Sequence, residues 1–350
     1  MSAVLRVGAA ELLAFARAVL ERKGVPPEDA GLAAEALVAT NLRGVDSHGI
    51  NRLPEYVARL ERGLMQAVTR LTPVASSPPL ELWDGQGGVG PVVASRTMER
   101  AVALARDHGV GVVGVRRSNH FGAAGHYALM AAARGLIGLA ATNAAPTLAP
   151  WGGREARLGN NPWAIAVPCR TLGHPLLLDI ANSVSSFGKL RQLAEEGRPI
   201  PEGWVMTADG RPTTDPREAL SGVLLPMGGH KGYAISFMIE VLAGALTGAG
   251  CPGADPDGGG VGHLMAAVGV TAFATPEEFE ARLGRVIKAM KTAPLAPGHK
   301  EVMVPGEVEA RNEAERRRAG IPLPAPVVER LVRLGEGLGV SFPSRGGGSP

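Results

Sequence analysis

The chain has 350 residues, 45% of them hydrophobic, and a formal net charge of only +3. A chain of this length exceeds the size at which single cores stop growing, so two intimately packed domains, or one large domain with a terminal cap, are expected. No apolar run approaches the roughly 20 residues that span a bilayer, and the start lacks a signal peptide's basic region and cleavage site. Acidic residues interleave with the arginines, which is an ordinary solvated surface rather than a nucleic-acid stripe. Membrane and nucleic-acid partners are therefore set aside, and a cytoplasmic location is expected. The only cysteines, Cys169 and Cys251, lack CxxC spacing, so neither a disulfide framework nor a cysteine zinc site is indicated.

Apolar residues at helical spacing predict a first helix in AAELLAFARAVLERKG, stopped by Gly24. Glu28 and Asp29 open a second, closed by Gly44, and Pro54 begins a third that runs to about Gly63. His48 and Arg52 fall in the loop between the second and third. From about Leu71 strands and helices alternate, which argues for an α/β sandwich. The strands are LELWDG, GVGVVGV, LIGLAATN, LLLDIAN, GVLLP and MAAVGVTAF. The helices are SRTMERAVALARDHG, AAGHYALMAAARG, a long, apolar GYAISFMIEVLAGALTGA that reads as buried and closed by Gly250, and the amphipathic PEEFEARLGRVIKAMKTA. ADPDGGG reads as a loop. The tail, EVMVPGEVEARNEAERRRAGIPLPAPVVERL, reads as a strand, a charged helix and an apolar cap, and the final GGGSP as frayed.

Two glycine patterns invite a nucleotide-site reading. Gly85, Gly87 and Gly90 match G-x-G-x-x-G between a strand and a helix that starts at Pro91, and Arg116 and Arg117 end the next strand where a 2′-phosphate could use them. Gly109, Gly111 and Gly114 match as well, inside an apparent strand where no turn is possible, so the pattern is weak in a chain with 48 glycines.

Chemistry concentrates on three loops between buried elements. The first carries Asp46, Ser47, His48 and Arg52; the second Ser118, Asn119 and His120; the third Lys231 behind two glycines. Asp46, Ser47 and His48 resemble pieces of a hydrolase triad, but a triad draws its members from separate elements, and no G-x-S-x-G elbow supports it. A zinc site from His48, His120 and His126 lacks supporting spacing, and no metal is expected. Imidazoles beside glycine at element ends suit proton transfer near neutral pH, and a guanidinium fork suits a carboxylate.

Taken in order, VDSHGINRLPEY, GVGVVGVRRSNHFGAAGHYALMAA, ATNAAPTLAPWGG, LLLDIANSVSSFGK, GWVMTADGRPTTDP, LLPMGGHKGYAISFMIEVLAGALTGA and VPGEVEA resemble the malate/L-lactate dehydrogenase family of NAD(P)-dependent oxidoreductases, a group unrelated to the Rossmann-type enzymes. The chain also looks like the family's ureidoglycolate, sulfolactate and diketogulonate dehydrogenases. The resemblance implies an α/β fold with a mixed-sheet core flanked by helices, a non-Rossmann site for NAD or NADP, and a homodimer with its active site near the subunit interface. It implies a helical substrate-loop segment over residues 1–72, a cofactor-binding α/β domain over 73–297, and a C-terminal segment, 298–350, packing back on the N-terminal part.

By the matching motifs, His48 and His120 fall on the acid/base histidines, and Arg52 on the substrate-carboxylate arginine, with Ser47 and Asn119 beside the substrate. His120, Asn143, Ala144, Asp179, Ile180, Ala181, Asn182, Ser183, Lys231, Gly232, Pro305, Gly306 and Glu307 fall on stretches that line the cofactor. The family more often reads DMATS where this chain has Asp179 to Ser183 with Asn182, a departure that bears on NAD versus NADP. The expected reaction is hydride transfer at C2 of a small 2-hydroxy or 2-oxo acid. His120 is expected as the principal base because it ends a strand, with His48 polarising the carbonyl or sharing the relay. The alternatives are a cyclic imino-acid reductase of the piperideine-2-carboxylate type and a nucleotide-binding module without turnover.

Overall fold

A computed structural model describes residues 4–254 and 260–343. Most of the expected ADPDGGG loop and the whole GGGSP end lie outside the described residues. The chain opens with β1 (Val4–Val7), α1 (Ala9–Arg22) and α2 (Pro27–Leu42), followed by two 3₁₀ turns, Asp46–His48 and Ile50–Arg52, and α3 (Leu53–Glu61). Pro27 and Pro54 occupy first turns, where a missing N–H costs nothing, and Gly24, Gly44 and Gly63 end the helices at positive φ. Next come β2 (Thr72–Ser77), β3 (Leu80–Asp84), α4 (Gly90–His108), β4 (Val110–Ser118), α5 (Ala124–Ala132) and β5 (Leu136–Thr142). Short strands β6 (Pro146–Leu148) and β7 (Leu158–Gly159) precede β8 (Trp163–Val167) and β9 (Leu176–Ile180). After these lie α6 (Phe187–Glu195), β10 (Val205–Met206), α7 (Pro216–Ala219), β11 (Val223–Leu224) and α8 (His230–Ile239). The chain ends with β12 (Val261–Gly269), α9 (Pro276–Lys291), α10 (Glu307–Ala319), β13 (Ile321–Pro324) and α11 (Ala325–Glu336).

The main sheet has seven strands in the order β2-β3-β4-β12-β5-β8-β9, and only its β3–β4 pair is parallel. Such a sheet is mixed and is not the doubly wound parallel sheet of a Rossmann domain. Helices α4 and α5 cover one face through Met98, Ala101, Tyr127, Ala128 and Ala131, which meet Val113, Ala140 and Met265 in one core. Gly111 explains the second false fingerprint. A Cβ there would lie 2.2 Å from the Ala101 carbonyl oxygen, so this glycine serves close helix-on-strand packing, not phosphate. β6, β7, β10 and β11 form a smaller sheet. β1 and β13 pair antiparallel, and α1, α2, α3 and α11 share one core, so the two chain ends fold together.

Three expectations change. EVMV forms no strand; the C-terminal strand is Ile321–Pro324, because β1 offers it an edge to pair with, whereas Val304 is held by its own N–H to the Glu307 carboxylate at 3.0 Å. MAAVGVTAF starts mid-strand and runs past its end into the 3₁₀ turn Val270–Ala272. The long apolar helix is α8, continued by π-type turns over Glu240–Ala245, and it is not wholly buried: Phe237, Met238, Val241 and Leu246 stay 36% to 66% exposed. Apolar residues all round a helix do not distinguish a core from a face awaiting a partner.

Glu307 at the start of α10 takes Lys291 Nζ at 2.6 and 2.8 Å and Arg311 at 3.1 Å. Lys291 first, then the Val304 N–H, hold its carboxyl down at about 2. Because the folded value is depressed, the stabilisation is present above the unfolded carboxyl's pKa, about 4.3, and disappears as pH falls from there towards 2. Glu307→Gln is therefore expected to cost about 1–3 kcal/mol in urea unfolding at pH 7. At about pH 2 the gap to the parent should close; a gap independent of pH would assign the loss to packing.

Candidate active site

Two short turns build the first half of the site. Asn41 near the end of α2 accepts the Ile50 N–H at 2.6 Å and donates to Asp46 at 2.6 Å, while Arg316 of α10 forks onto the two Asp46 oxygens at 2.6 and 3.0 Å. Asp46 is thus an anchor for the turn. Ser47 Oγ does reach its neighbour His48, 2.9 Å from Nδ1, but with Asp46 held by Arg316 the fragment makes no hydrolase triad.

The second half is the end of β4. Asn119 is 2% exposed and its side chain is fully committed: Oδ1 accepts Arg59 at 2.7 and 3.2 Å, and Nδ2 donates to the Gly87 and Gly88 carbonyls at 2.8 and 2.9 Å. The glycine turn after β3 is therefore a clamp on the strand that carries His120. Arg116 and Arg117 both donate to Asp84, at 3.1 and 2.8 Å, which gives these arginines a structural task in the same corner. Behind them His263 of β12, fully buried, bridges Ser118 Oγ at 2.8 Å and Thr142 Oγ1 at 2.9 Å and stacks on Phe121 with centroids 4.7 Å apart.

These supports bring His48 and His120 face to face, ring centroids 5.6 Å apart and planes 21° from parallel. Tyr56 Oη lies 2.9 Å from His120 Nδ1, and the Gly122 N–H donates to the same nitrogen at 3.3 Å. Arg52 donates through Nε to the Ser47 carbonyl at 2.9 Å and through one amino group to Glu55 at 2.8 Å, leaving its other amino group without a partner among the described residues. Burial, then the Arg52 charge, lowers His48 to about 4. Burial first, then His48 and Arg52, lowers His120 well below the ordinary imidazole value. Both rings are neutral at pH 7, and an anion bound at Arg52 would ease the depression. His126 packs on Tyr127 instead, at 5.1 Å, and among the described residues no group of three or more His, Cys, Asp or Glu is placed to hold a metal ion. No helix among the described residues is long and apolar enough to cross a membrane.

Residues 7–332 match the family model described as malate/L-lactate dehydrogenase. The chain belongs to the malate/L-lactate dehydrogenase family. It is 38% identical to an L-sulfolactate dehydrogenase of Methanothermobacter thermautotrophicus, over 97% of this chain and 98% of that one. It is 39% identical to an L-lactate dehydrogenase of Cupriavidus necator, over 94% and 97%. The solved malate dehydrogenase of Pyrococcus horikoshii superposes with a TM-score of 0.89 at 35% identity, covering 97% of both chains. A member of this dehydrogenase family is an oxidoreductase that uses a nicotinamide cofactor.

The stretches expected to line that cofactor are tied into one surface around the end of β9. Asp179 accepts the Gly125 N–H at the start of α5, so it adjoins the segment that follows His120. The Leu177 N–H donates to Pro305 at 3.1 Å, and Gly306, at φ 88°, packs against Leu177. Ser183 bridges to Pro226, and the Asn182 carbonyl takes the Met227 N–H, whose own carbonyl takes that of Gly232. The Ala144 N–H donates to Asn161 Oδ1 at 2.9 Å, while Asn143 is spent on Glu240, Gly250 and Gly262. Asn182 is fully buried, its amide spent on Asn160, Asn161 and Trp163. A Cβ at Gly188, in the first turn of α6, would lie 3.9 Å from the Ser47 Cβ, so this helix start adjoins the His48 turn.

The donor set fits an anionic dinucleotide. Lys231 is exposed and without a partner among the described residues, and Arg43 keeps Nε and one amino group buried and unpaired while its charge acts on Asp179. Burial pushes the Asp179 carboxyl up to about 6. Tyr56, Arg59 and His263 were not expected in the site. Only Tyr56, four residues beyond Arg52 on a short helix, carried a signal, since positions i and i+4 share a helix face.

Proposed function

We propose that this oxidoreductase moves hydride between C2 of a small 2-hydroxy or 2-oxo carboxylate and the nicotinamide of NAD or NADP. The observation that carries the reading is the pair of neutral, stacked imidazoles beside the open amino group of Arg52. Arg52 holds the C1 carboxylate, and the histidine pair takes the hydroxyl proton during oxidation and returns it during reduction. Ser47 and Asn119 contribute by fixing His48 and the His120 strand end. The residues from Asp179 to Ser183, Asn143 with Ala144, Lys231 with Gly232, and Pro305 to Glu307 would hold the cofactor, which supplies the hydride acceptor or donor. With the Asn182 amide buried, choice between NAD and NADP falls to other positions on this surface. The apolar stripe of Phe237, Met238, Val241 and Leu246 supports a homodimer. A cytoplasmic location goes with the same reading.

The imino-acid alternative is less favoured, since the relatives above are named as sulfolactate, lactate and malate dehydrogenases. The test mixes the protein with NADH or NADPH and oxaloacetate, pyruvate, sulfopyruvate or piperideine-2-carboxylate, and follows nicotinamide absorbance. Turnover of at least one 2-oxo acid is expected. Cofactor binding with no oxidation by any of the four would replace this reading with the nucleotide-binding module.

A further inference from the structure

We propose that Arg316, on α10 and 270 residues beyond the turn it grips, is a positioning residue for substrate: through Asp46 it sets the Ser47 carbonyl, and through that carbonyl the aim of the Arg52 guanidinium. The proposal rests on the dehydrogenase reading above, in which Arg52 holds the substrate carboxylate.

The turn cannot place itself. Asp46–His48 and Ile50–Arg52 are 3₁₀ turns of three residues each, a geometry whose hydrogen bonds are poor. Of these residues only Ile50 is buried in the core. Position therefore comes from polar anchors at the two ends. At one, the Ile50 N–H donates to Asn41 Oδ1 at 2.6 Å, and Gly49 must lack a side chain because a Cβ there would lie 2.1 Å from that oxygen. At the other, Asp46 Oδ1 accepts Asn41 Nδ2 at 2.6 Å.

Arg316 locks this arrangement from outside. One of its amino groups donates to the Asn41 carbonyl and to Asp46 Oδ1, both at 2.6 Å, and the other to Asp46 Oδ2 at 3.0 Å. Such a fork fixes the orientation of a carboxylate as well as its place. Asn312 and Glu313 on the same helix hold Arg43 at the end of α2, one step short of the turn. The Arg316 side chain is 13% exposed and that of Asp46 46%, so water can reach the Asp46 oxygens once the guanidinium is gone, and the chain can still fold.

Ser47 carries the effect into the site. Its carbonyl accepts Arg52 Nε at 2.9 Å, and it follows Asp46 across one planar peptide, so a shift at Asp46 moves the acceptor that aims Arg52. Ser47 Oγ and His48 ride on the same turn.

The test compares Arg316→Gln, Arg316→Lys, Asp46→Asn and Arg317→Gln in the full-length protein, using a 2-oxo acid that the parent turns over. Arg317 is the control, an exposed neighbour on α10 paired with Glu313, whose loss removes the same charge. Arg316→Gln is expected to lower kcat/KM for the 2-oxo acid by roughly 100-fold, mostly through KM, while KM for the nicotinamide cofactor stays unchanged. Arg317→Gln should match the parent. A merely less stable protein would lose kcat with both KM values unchanged, because its folded fraction works normally; that result overturns the proposal. Arg316→Lys should recover part of the loss, since one ammonium cannot span both Asp46 oxygens and the Asn41 carbonyl. Asp46→Asn combined with Arg316→Gln should cost little more than either alone, and additive losses would count against a shared contact.

NMR of the ligand-free protein needs no turnover. The Arg52 Nε–H signal, assigned by its disappearance in Arg52→Lys, should move in Arg316→Gln and in Asp46→Asn and stay in place in Arg317→Gln. An unmoved signal defeats the proposal, and Asp46→Asn, which keeps the shape of the side chain, decides if Arg316→Gln fails to fold. A parent that turns over no 2-oxo acid but shows these shifts would instead defeat the dehydrogenase reading.

Discussion

Arg52→Met is expected to raise KM for the 2-oxo acid by roughly 100-fold to 1,000-fold while kcat falls much less, because a charge-assisted hydrogen bond to a carboxylate is made in ground and transition state alike. The side chain is already aimed: Nε and one amino group are fixed by the Ser47 carbonyl and Glu55, so little ordering entropy remains to be lost on binding. Lysine at this position supplies a point charge without the fork, and Arg52→Lys should recover only part of the loss. A second readout follows from electrostatics. Arg52 is the second cause, after burial, of the lowered His48 pKa, so its removal should move the acidic limb of kcat/KM upward in pH. An unchanged KM would remove Arg52 from the carboxylate site, whatever happens to the limb.

Gly90→Ala is expected to cut kcat by roughly 100-fold and to lower stability, although the position opens a helix where alanine is normally favoured by about 1 kcal/mol. A Cβ at Gly90 would lie 2.2 Å from the His120 carbonyl oxygen and 2.4 Å from that of Asn119. Both are backbone atoms, so one side of the contact must move, and overpacking of this kind costs about 1–3 kcal/mol. One side of that contact is the backbone of His120 itself, so a shift there displaces its ring. The sign decides: unfolding and kcat measured together should both fall, whereas a stabilised variant with full kcat would show that the α4 start and the His120 strand end do not set each other's position.

Gly90 also shows where local pattern misleads. The glycines of DGQGGVG follow a strand and open a helix, the setting of a phosphate loop, yet Gly87 and Gly88 present carbonyls to Asn119 and Gly90 makes room for His120. The spacing was right and the ligand wrong, since a tight turn and a close approach demand glycine whether the neighbour is phosphate or protein backbone. EVMV failed for a related reason: β propensity is realised only where a neighbouring edge exists, and the edge of β1 is filled by Ile321–Pro324. The apolar run of α8 could not reveal that one of its faces is left open.

Helix ends, the position of the His48 turn and the resemblance to a dehydrogenase family were legible in residue order, because prolines, glycines and apolar periodicity act over a few neighbours and the motifs are contiguous. The meeting of the two imidazoles was not. It depends on Tyr56 reaching the His120 ring, and on the Asn119, Gly90 and His263 contacts that hold the strand end carrying His120 in place. Those contacts join segments 30 to 145 residues apart, so only the packed chain brings the two rings together.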